Sequence, residues 1–385
     1  MAEGHDRPRV LFITRNFPPL LGGMERLNWH MADELRVGCD VRLVGPRGAA
    51  VRAPHGIEVR EAALRPLRSF LARAWWLAWR EALAWRPQLV LAGSGLTAPL
   101  AWWAARACGA RTAAYVHGLD LSVAHPVYRA LWRPALRRMD CVIANSAATA
   151  QLARGIGIAP GRIRVVHPGT ELPAADPGAR ARFRQVQGIA ADSPLLLSVG
   201  RLTGRKGLRE FVAEVLPRIA QRHRDVVLAV VGEAPSNALY GHAQSAQDIL
   251  DAARAAGVGG CLRLLGRLDD ASLHDAYFAS DLHVFPIRDL PHDPEGFGMV
   301  AVEAAAHGLA TVAYACGGVA DAVGQGVSGT LVRPGDGEAF ADAVLRLLQR
   351  PLPAGGVRGF AEVFAWPRFG DGVRRAVGLD GEASG

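Results

Sequence analysis

The chain has 385 residues, half of them apolar, and a formal net charge of +8. That length supports two ordinary domains with separate cores, and abundant glycine and alanine suit a packed α/β protein. The positive charge comes from 43 arginines and a single lysine, Lys206. They are dispersed among acidic residues and form no nucleic-acid module, which excludes nucleic acid as the expected partner and favours an anionic membrane surface or substrate.

From the N-terminus, MAEGHDRPR is polar and lacks the apolar run of a secretion signal. Strands are expected at 10–14, 40–44, 89–92, 112–116, 141–144 and 163–166, with helical patterns between most of them, as at 25–36 and 99–108. Residues 87–105 carry no charge and approach membrane-spanning length. Pro99 and the Gly93-Ser94-Gly95 turn break that stretch into strand, turn and helix, so no transmembrane helix is expected. Residues 173–193 are polar and mark a boundary. Further strands are expected at 195–199, 226–231, 262–265, 282–286 and 310–313. Alternation of this kind predicts parallel sheets with helices on both faces, and two such halves imply a ligand cleft between them. The N-terminal domain is placed at 1–175 and the C-terminal domain at 190–355. Cys39, Cys108, Cys141, Cys261 and Cys316 have no metal-ligand or redox spacing, which fits a reducing cytoplasm.

Glu295 and Glu303 carry the strongest chemical signal. They stand eight apart in PEGFGMVAVEA, the first in a glycine-bearing turn and the second about two turns into a helix expected to start near Phe297. A helix beginning within the gap brings both acids towards one cleft. The amides of Gly296, Phe297 and Gly298 then lie at a helix N-terminus, which suits an anion. Carboxylates accept sugar and ribose hydroxyls well, although an N-terminal charge and a solvated helix acid would leave the same pattern. Gly22 and Gly23 allow close backbone approach before a helix starting near Met24, or form a plain turn. Arg201 and Lys206 flank a turn after strand 195–199 and suit a diphosphate. As the only lysine, Lys206 is expected to act as a compact point charge, the alternative being a solvated loop residue. His117 ends a strand, where both structural and active-site histidines occur. Asp120 either orients His117, contacts an acceptor or caps a helix.

Over nearly its whole length the chain resembles the large family 4 of retaining glycosyltransferases, which have the GT-B fold. Glu295 to Glu303 are similar to its E-x7-E signature. PPLLGGME at 18–25 resembles its first glycine loop, and His117-Gly118-Leu119-Asp120 follows a strand as in the family. Val199-Gly200-Arg201-Leu202 with Lys206-Gly207 resembles its phosphate-binding run, Gly317-Gly318-Val319-Ala320-Asp321 its later glycine turn, and Phe364-Ala365-Trp366 the start of a C-terminal helix, about 361–378, that returns to the first domain.

The resemblance implies two facing Rossmann-like domains with an interdomain cleft. It also implies transfer of a hexose-type sugar from a nucleoside-diphosphate sugar, with retention, by front-face attack in which the donor phosphate takes the acceptor proton. Glu295 would hold a sugar hydroxyl and Glu303 the ribose. Arg201, Lys206 and the amides of Phe297 and Gly298 would carry the diphosphate, while backbone near Leu268 meets the base. His117 would lie by the transferring sugar, Gly22 and Gly23 by the donor, and Asp120 on the acceptor side. No metal and no cofactor are expected, and Asp269-Asp270 reads as a helix cap. The rivals are a sugar-nucleotide epimerase, a catalytically silent sugar-nucleotide-binding protein, and a nicotinamide dehydrogenase suggested by Gly93-x-Gly95-x-x-Ala98. That last glycine pattern lacks the acidic residue a dinucleotide site needs.

Residues 67–86, LRSFLARAWWLAWREALAWR, place Leu71, Ala74, Trp75, Ala78, Ala82 and Trp85 on one stripe and Arg73, Trp76, Arg80 and Leu83 on another. Tryptophan among arginines suits a lipid headgroup surface, the alternative being a core helix with solvated arginines. A glycan or lipid-linked acceptor is expected, and a cytoplasmic location with peripheral attachment to the inner face of the plasma membrane.

Overall fold

The computed structural model describes residues 7–234 and 244–379. The first six residues, part of the polar N-terminal segment, lie outside them. The chain forms two units, one of Met1–Gly169 with Trp366–Gly385 and the other of Thr170–Ala365.

In the first unit seven strands form one sheet: β1 (Arg9–Ile13), β2 (Asp40–Pro46), β3 (Glu58–Ala62), β4 (Leu89–Ala92), β5 (Arg111–Val116), β6 (Cys141–Ala144) and β7 (Ile163–Val165). Their order is β3-β2-β1-β4-β5-β6-β7, every pairing parallel. The second unit repeats the plan with β8 (Leu195–Val199), β9 (Val227–Val231), β10 (Leu262–Gly266), β11 (Leu282–Phe285), β12 (Thr311–Tyr314) and β13 (Gly329–Val332). Its order is β10-β9-β8-β11-β12-β13, again parallel throughout. Central strands such as β4 and β11 are buried along their whole length, as a parallel sheet covered on both faces requires.

Two strands had no clear sequence signature. β3 and β13 are edge strands, and their sequences, EVREA and GTLV, are partly exposed rather than continuously apolar. An edge strand is neither fully buried nor strictly alternating, so the apolar run that marks a central strand is missing.

In both units strand order reverses beside the first strand, between β1 and β4 and between β8 and β11. Such reversals open a crevice at the carboxyl ends of the strands, the usual place for a ligand in this type of sheet.

In the first unit α2 (Leu67–Trp85) and α3 (Ala98–Cys108) share one core with the sheet, while α1 (Gly23–Gly38) packs against the C-terminal helix. α2 buries Phe70, Ala74, Leu77, Ala78, Glu81 and Ala82. The buried Glu81 carboxylate accepts from Arg42 at 3.0 Å and from Arg60 at 2.7 Å. The stripe that holds Trp75 is divided: Ala74, Ala78 and Ala82 are buried, and Trp75 is not. It is 43% exposed, alongside Trp76, Trp79 and Leu83. Arg73 and Arg80 both lie over the Trp76 ring, 4.5 and 5.0 Å from its centroid. Among the described residues no helix is long and apolar enough to cross a membrane.

The C-terminal helix Trp366–Ala376 packs against α1 within the first unit. Its first residue is nearly buried, with the indole stacked on the His30 ring at 3.8 Å and 8°. The indole also meets Phe369 edge-on at 5.5 Å. Removing so large a buried side chain leaves a cavity, and Trp366→Ala should destabilise the first unit by about 3 kcal/mol. In urea titrations the variant should unfold at lower denaturant with faster amide exchange in α1; an unchanged midpoint would contradict this packing.

Candidate functional site

In the second unit the crevice between β8 and β11 is built from charge. The chain leaves β8 through Gly200 and Arg201 and tightens into a short 3-10 turn, Gly204–Lys206. It leaves β11 through a longer loop that brings Glu295 back to that turn. The Lys206 ammonium donates to Glu295 Oε2 at 2.8 Å, and the Arg205 guanidinium pairs with the same oxygen. Arg205 Nε also lies 3.3 Å from Asp293. The three side chains of this cluster are 12–15% exposed. Lys206 Nζ sits 4.8 Å from the centre of the Phe285 ring at the end of β11, a cation–π contact.

Burial by itself would raise the Glu295 carboxyl pKa. The charges of Arg205 and Lys206 outweigh it and hold the group down at about 2, so it is ionised at any physiological pH. Burial pushes the Lys206 ammonium below its ordinary value while Glu295 pulls it back up. Arg201 is exposed at the rim and pairs with no carboxylate among the described residues.

The Glu295 loop is held from outside the cluster. Gly318, in the turn after β12, donates its N–H to the Glu295 carbonyl at 2.9 Å. A Cβ at Gly318 would lie 2.0 Å from the Gly296 carbonyl oxygen, so no larger residue lets the two turns meet. Phe297 is buried and tilts against Phe364 at 5.7 Å. The helix after it starts at Met299, with Gly298 as its cap, rather than near Phe297. Glu303 therefore lies just over one turn in, not two, because Gly298 at φ 102° delays the helical run. Glu303 is 9% exposed and accepts the Tyr277 hydroxyl at 3.0 Å. Leu268 stands in the loop after β10, and Asp269 caps the following helix by accepting from Ser272 N at 2.7 Å.

In the first unit the flagged residues again lie at carboxyl ends of strands. Gly22 caps α1, of which Gly23 is the first residue, after β1. His117 follows β5, and its Nε2 lies 3.1 Å from the Gly93 carbonyl after β4. A carbonyl only accepts, so Nε2 carries the proton. Asp120 Oδ2 accepts from His117 N at 3.1 Å and from Gly95 N at 3.0 Å, bracing the loop that presents the imidazole. A Cβ at Gly95 would lie 2.6 Å from Asp120 Cβ. The Gly93-x-Gly95 pattern is thus explained by close packing, of Gly95 against Asp120 and of Gly93 against Asn28 and Thr14.

The structure brings together Lys206 and Glu295 in one unit, and His117 and Asp120 in the other. It adds two residues absent from the sequence reading. Arg205 had a signal, a second cation beside the only lysine. Tyr277 had none, since nothing in a helical tyrosine 26 positions before Glu303 announces a contact.

Two parallel-sheet units of this order define a fold class, the GT-B double-domain proteins. Solved structures of that class superpose on nearly the whole chain. Anabaena HepE, solved in complex with UDP, matches with a TM-score of 0.78 at 21% identity, covering 96% of this chain and 99% of that one. WaaG, described as a glycosyltransferase involved in lipopolysaccharide biosynthesis, matches with a TM-score of 0.68 at 18% identity, covering 97% and 100%. Residues 21–172 match the model described as Glycosyltransferase Family 4 and residues 193–350 the model described as Glycosyl transferases group 1. The chain belongs to this family of glycosyltransferases. A D-inositol 3-phosphate glycosyltransferase of Catenulispora acidiphila is 38% identical over 216 residues, 55% of this chain and 48% of that protein. One of Geodermatophilus obscurus is 35% identical over 239 residues, 61% and 51%. The chain spans about half the length of these curated relatives.

His283, on β11 beneath the charge cluster, is fully buried, with Nδ1 3.1 Å from Thr311 Oγ1. Burial first, and then the Lys206 charge, push its pKa from 6.5 to about 3. The unfolded chain therefore takes up a proton below pH 6.5 that the folded unit refuses until about pH 3. Stability should fall as pH drops through that window. Selectively labelled His283 should remain neutral by NMR at pH 4.5 while exposed histidines titrate; a His283 that titrates with them would refute the burial argument.

Proposed function

We propose that the protein is a retaining glycosyltransferase that takes a hexose-type sugar from a nucleoside-diphosphate donor without a metal ion. The observation that carries this reading is the Arg205–Lys206–Glu295 cluster, with Arg201 at its rim, at the strand-order reversal of the second sheet. When a glycosyl phosphate bond breaks, negative charge grows on the departing diphosphate. Preset cations in a poorly hydrated crevice stabilise that charge without reorganising. Arg201, Arg205 and Lys206, with the amides of Phe297 and Gly298, are the groups proposed for it. Glu295 accepts a sugar hydroxyl, Glu303 the ribose, and the backbone at Leu268 meets the base. Gly22, Gly23 and His117 are the first-unit residues assigned to the donor, with Asp120 on the acceptor side.

Retention follows if the acceptor hydroxyl attacks the face the phosphate leaves. The new C–O bond forms as the old one breaks, and the acceptor proton passes to a phosphate oxygen. No protein nucleophile is then required. UDP in HepE supports a nucleotide-linked donor, and the names of the inositol-phosphate relatives support glycosyl transfer. Those relatives make a phosphorylated cyclitol an acceptor to test beside a lipid-linked glycan or polysaccharide intermediate. For the lipid acceptor, the exposed Trp75, Trp76, Trp79 and Leu83 face of α2, with Arg73 and Arg80, is the proposed membrane contact.

Purified protein should show raised melting temperature with one class of nucleotide sugar, since a ligand bound only by the folded state stabilises it. With that donor, Lys206→Ala and Glu295→Ala should each lower transfer at least about a hundredfold while the circular dichroism spectrum is kept, as loss of one transition-state donor typically costs. Activity should survive chelator, and the product should keep the donor's anomeric configuration. Wild-type rates in either variant would remove the site, and an epimerised nucleotide sugar as product would favour the epimerase.

Membrane contact is tested separately. Wild-type protein should co-sediment with anionic liposomes, and Trp76→Ala with Arg80→Ala should lower that fraction several-fold while leaving turnover of a soluble acceptor intact. Equal sedimentation of both proteins would dispose of the α2 contact.

A further inference from the structure

Glu303 lies in a closed circuit of contacts. Its backbone carbonyl receives a hydrogen bond from His307 Nδ1 at 2.7 Å. The His307 ring stacks on Tyr277, centroids 4.7 Å apart at 25°. The Tyr277 hydroxyl then donates to Glu303 Oε2 at 3.0 Å. The circuit begins and ends on one residue, tying its main chain to its own carboxylate through two rings. Because a carbonyl cannot donate, His307 carries its proton on Nδ1. Tyr277 is 2% exposed, so its ring has no room to swing away. His307 is further wedged by Phe278 and His274, whose ring centres lie 4.7 and 4.9 Å away.

We propose that Tyr277 is a positioning residue that fixes the rotamer of the Glu303 carboxylate and thereby sets recognition of the ribose of the nucleotide donor. This rests on the assignment of Glu303 to the ribose. A glutamate has three side-chain torsions, and a carboxylate left to rotate must be ordered again each time a ligand binds. One oxygen anchored by a buried hydroxyl restricts that freedom and holds the carboxylate in one orientation. Two adjacent ribose hydroxyls are donors such a carboxylate fits, and a sugar lacking one of them forfeits a charge-assisted hydrogen bond. A merely structural tyrosine, satisfying its hydroxyl on the nearest acceptor, would not discriminate between sugars.

The test uses whichever of UDP, GDP and ADP binds best, with its 2′-deoxy counterpart, measured by calorimetry on the full chain. Wild-type protein should prefer the ribonucleotide by about tenfold or more, as expected for a hydrogen bond to a charged group. Tyr277→Phe keeps the ring and the stack; it should weaken the ribonucleotide about fivefold to tenfold and leave the deoxy form unchanged. In transfer assays the same variant should raise KM for the donor with kcat within about twofold. His307→Gln, which removes the ring beneath Tyr277, should reproduce the selective loss and serves if Tyr277→Phe fails to fold. Wild-type discrimination retained in both variants overturns the proposal. A wild-type protein indifferent to the 2′-hydroxyl, with Glu303→Ala binding as wild type, overturns it differently, by removing Glu303 from the ribose. Persistent thermal stabilisation by the nucleotide in that case leaves the wider donor reading standing.

Discussion

A poorly hydrated carboxylate facing two cations, Glu295 with Arg205 and Lys206, is the constraint around which the second unit is organised. Charges withdrawn from water cost several kcal/mol each unless neighbours compensate. Here compensation is mutual, since the cations hold the Glu295 pKa down at about 2 and Glu295 draws that of the Lys206 ammonium back up against burial. The geometry that permits this is demanding. A turn after β8 must meet a loop after β11, and that loop must be clamped by the glycine turn after β12. With Arg201 added at the rim, cations outnumber the carboxylates in contact with them, Glu295 and Asp293. The crevice therefore carries a surplus of positive charge before any ligand arrives, which suits an anion better than a neutral sugar alone.

The scaffold explains why these particular segments meet. Parallel strands deliver all their carboxyl ends to one edge of the sheet, and reversal of strand order leaves neighbouring loops running apart. The same rule acts in the first unit on different chemistry, where Asp120 and Gly93 hold His117 by its backbone and ring. In each unit the apolar strands supply rigidity and the loops supply specificity. That division lets Glu295 and His117 be held closely although both stand outside regular structure.

Much of this was legible in the sequence because its signals are local. Buried central strands such as β4 and β6 announce themselves as short apolar runs, and their limits agree with the pattern to the residue. Glu295, Lys206 and the glycine turn at 317–318 stand out through spacing and rarity. Edge strands β3 and β13 do not, since half exposure erases the apolar run. The start of the signature helix was misplaced by two residues because Gly298 takes a left-handed conformation that composition alone does not reveal. On α2, four tryptophans leave the covered face ambiguous by periodicity, and the sheet decides it, leaving Trp75 exposed. Tyr277 was invisible for a deeper reason: its partner is distant in sequence, and only folding makes them neighbours.

The order of the chain has a consequence for how it matures. The second unit begins at Thr170 and ends at Ala365, and those ends lie side by side, with Thr170 N donating to the Phe364 carbonyl at 2.7 Å. The helix that seals the first unit is made only after the whole of the second has been synthesised. The first unit therefore waits, with the surface around His30 uncovered, while the second can close independently. A released chain ending near residue 365 would hold one finished domain and one unfinished domain, and chaperones would meet the exposed α1 face of the latter.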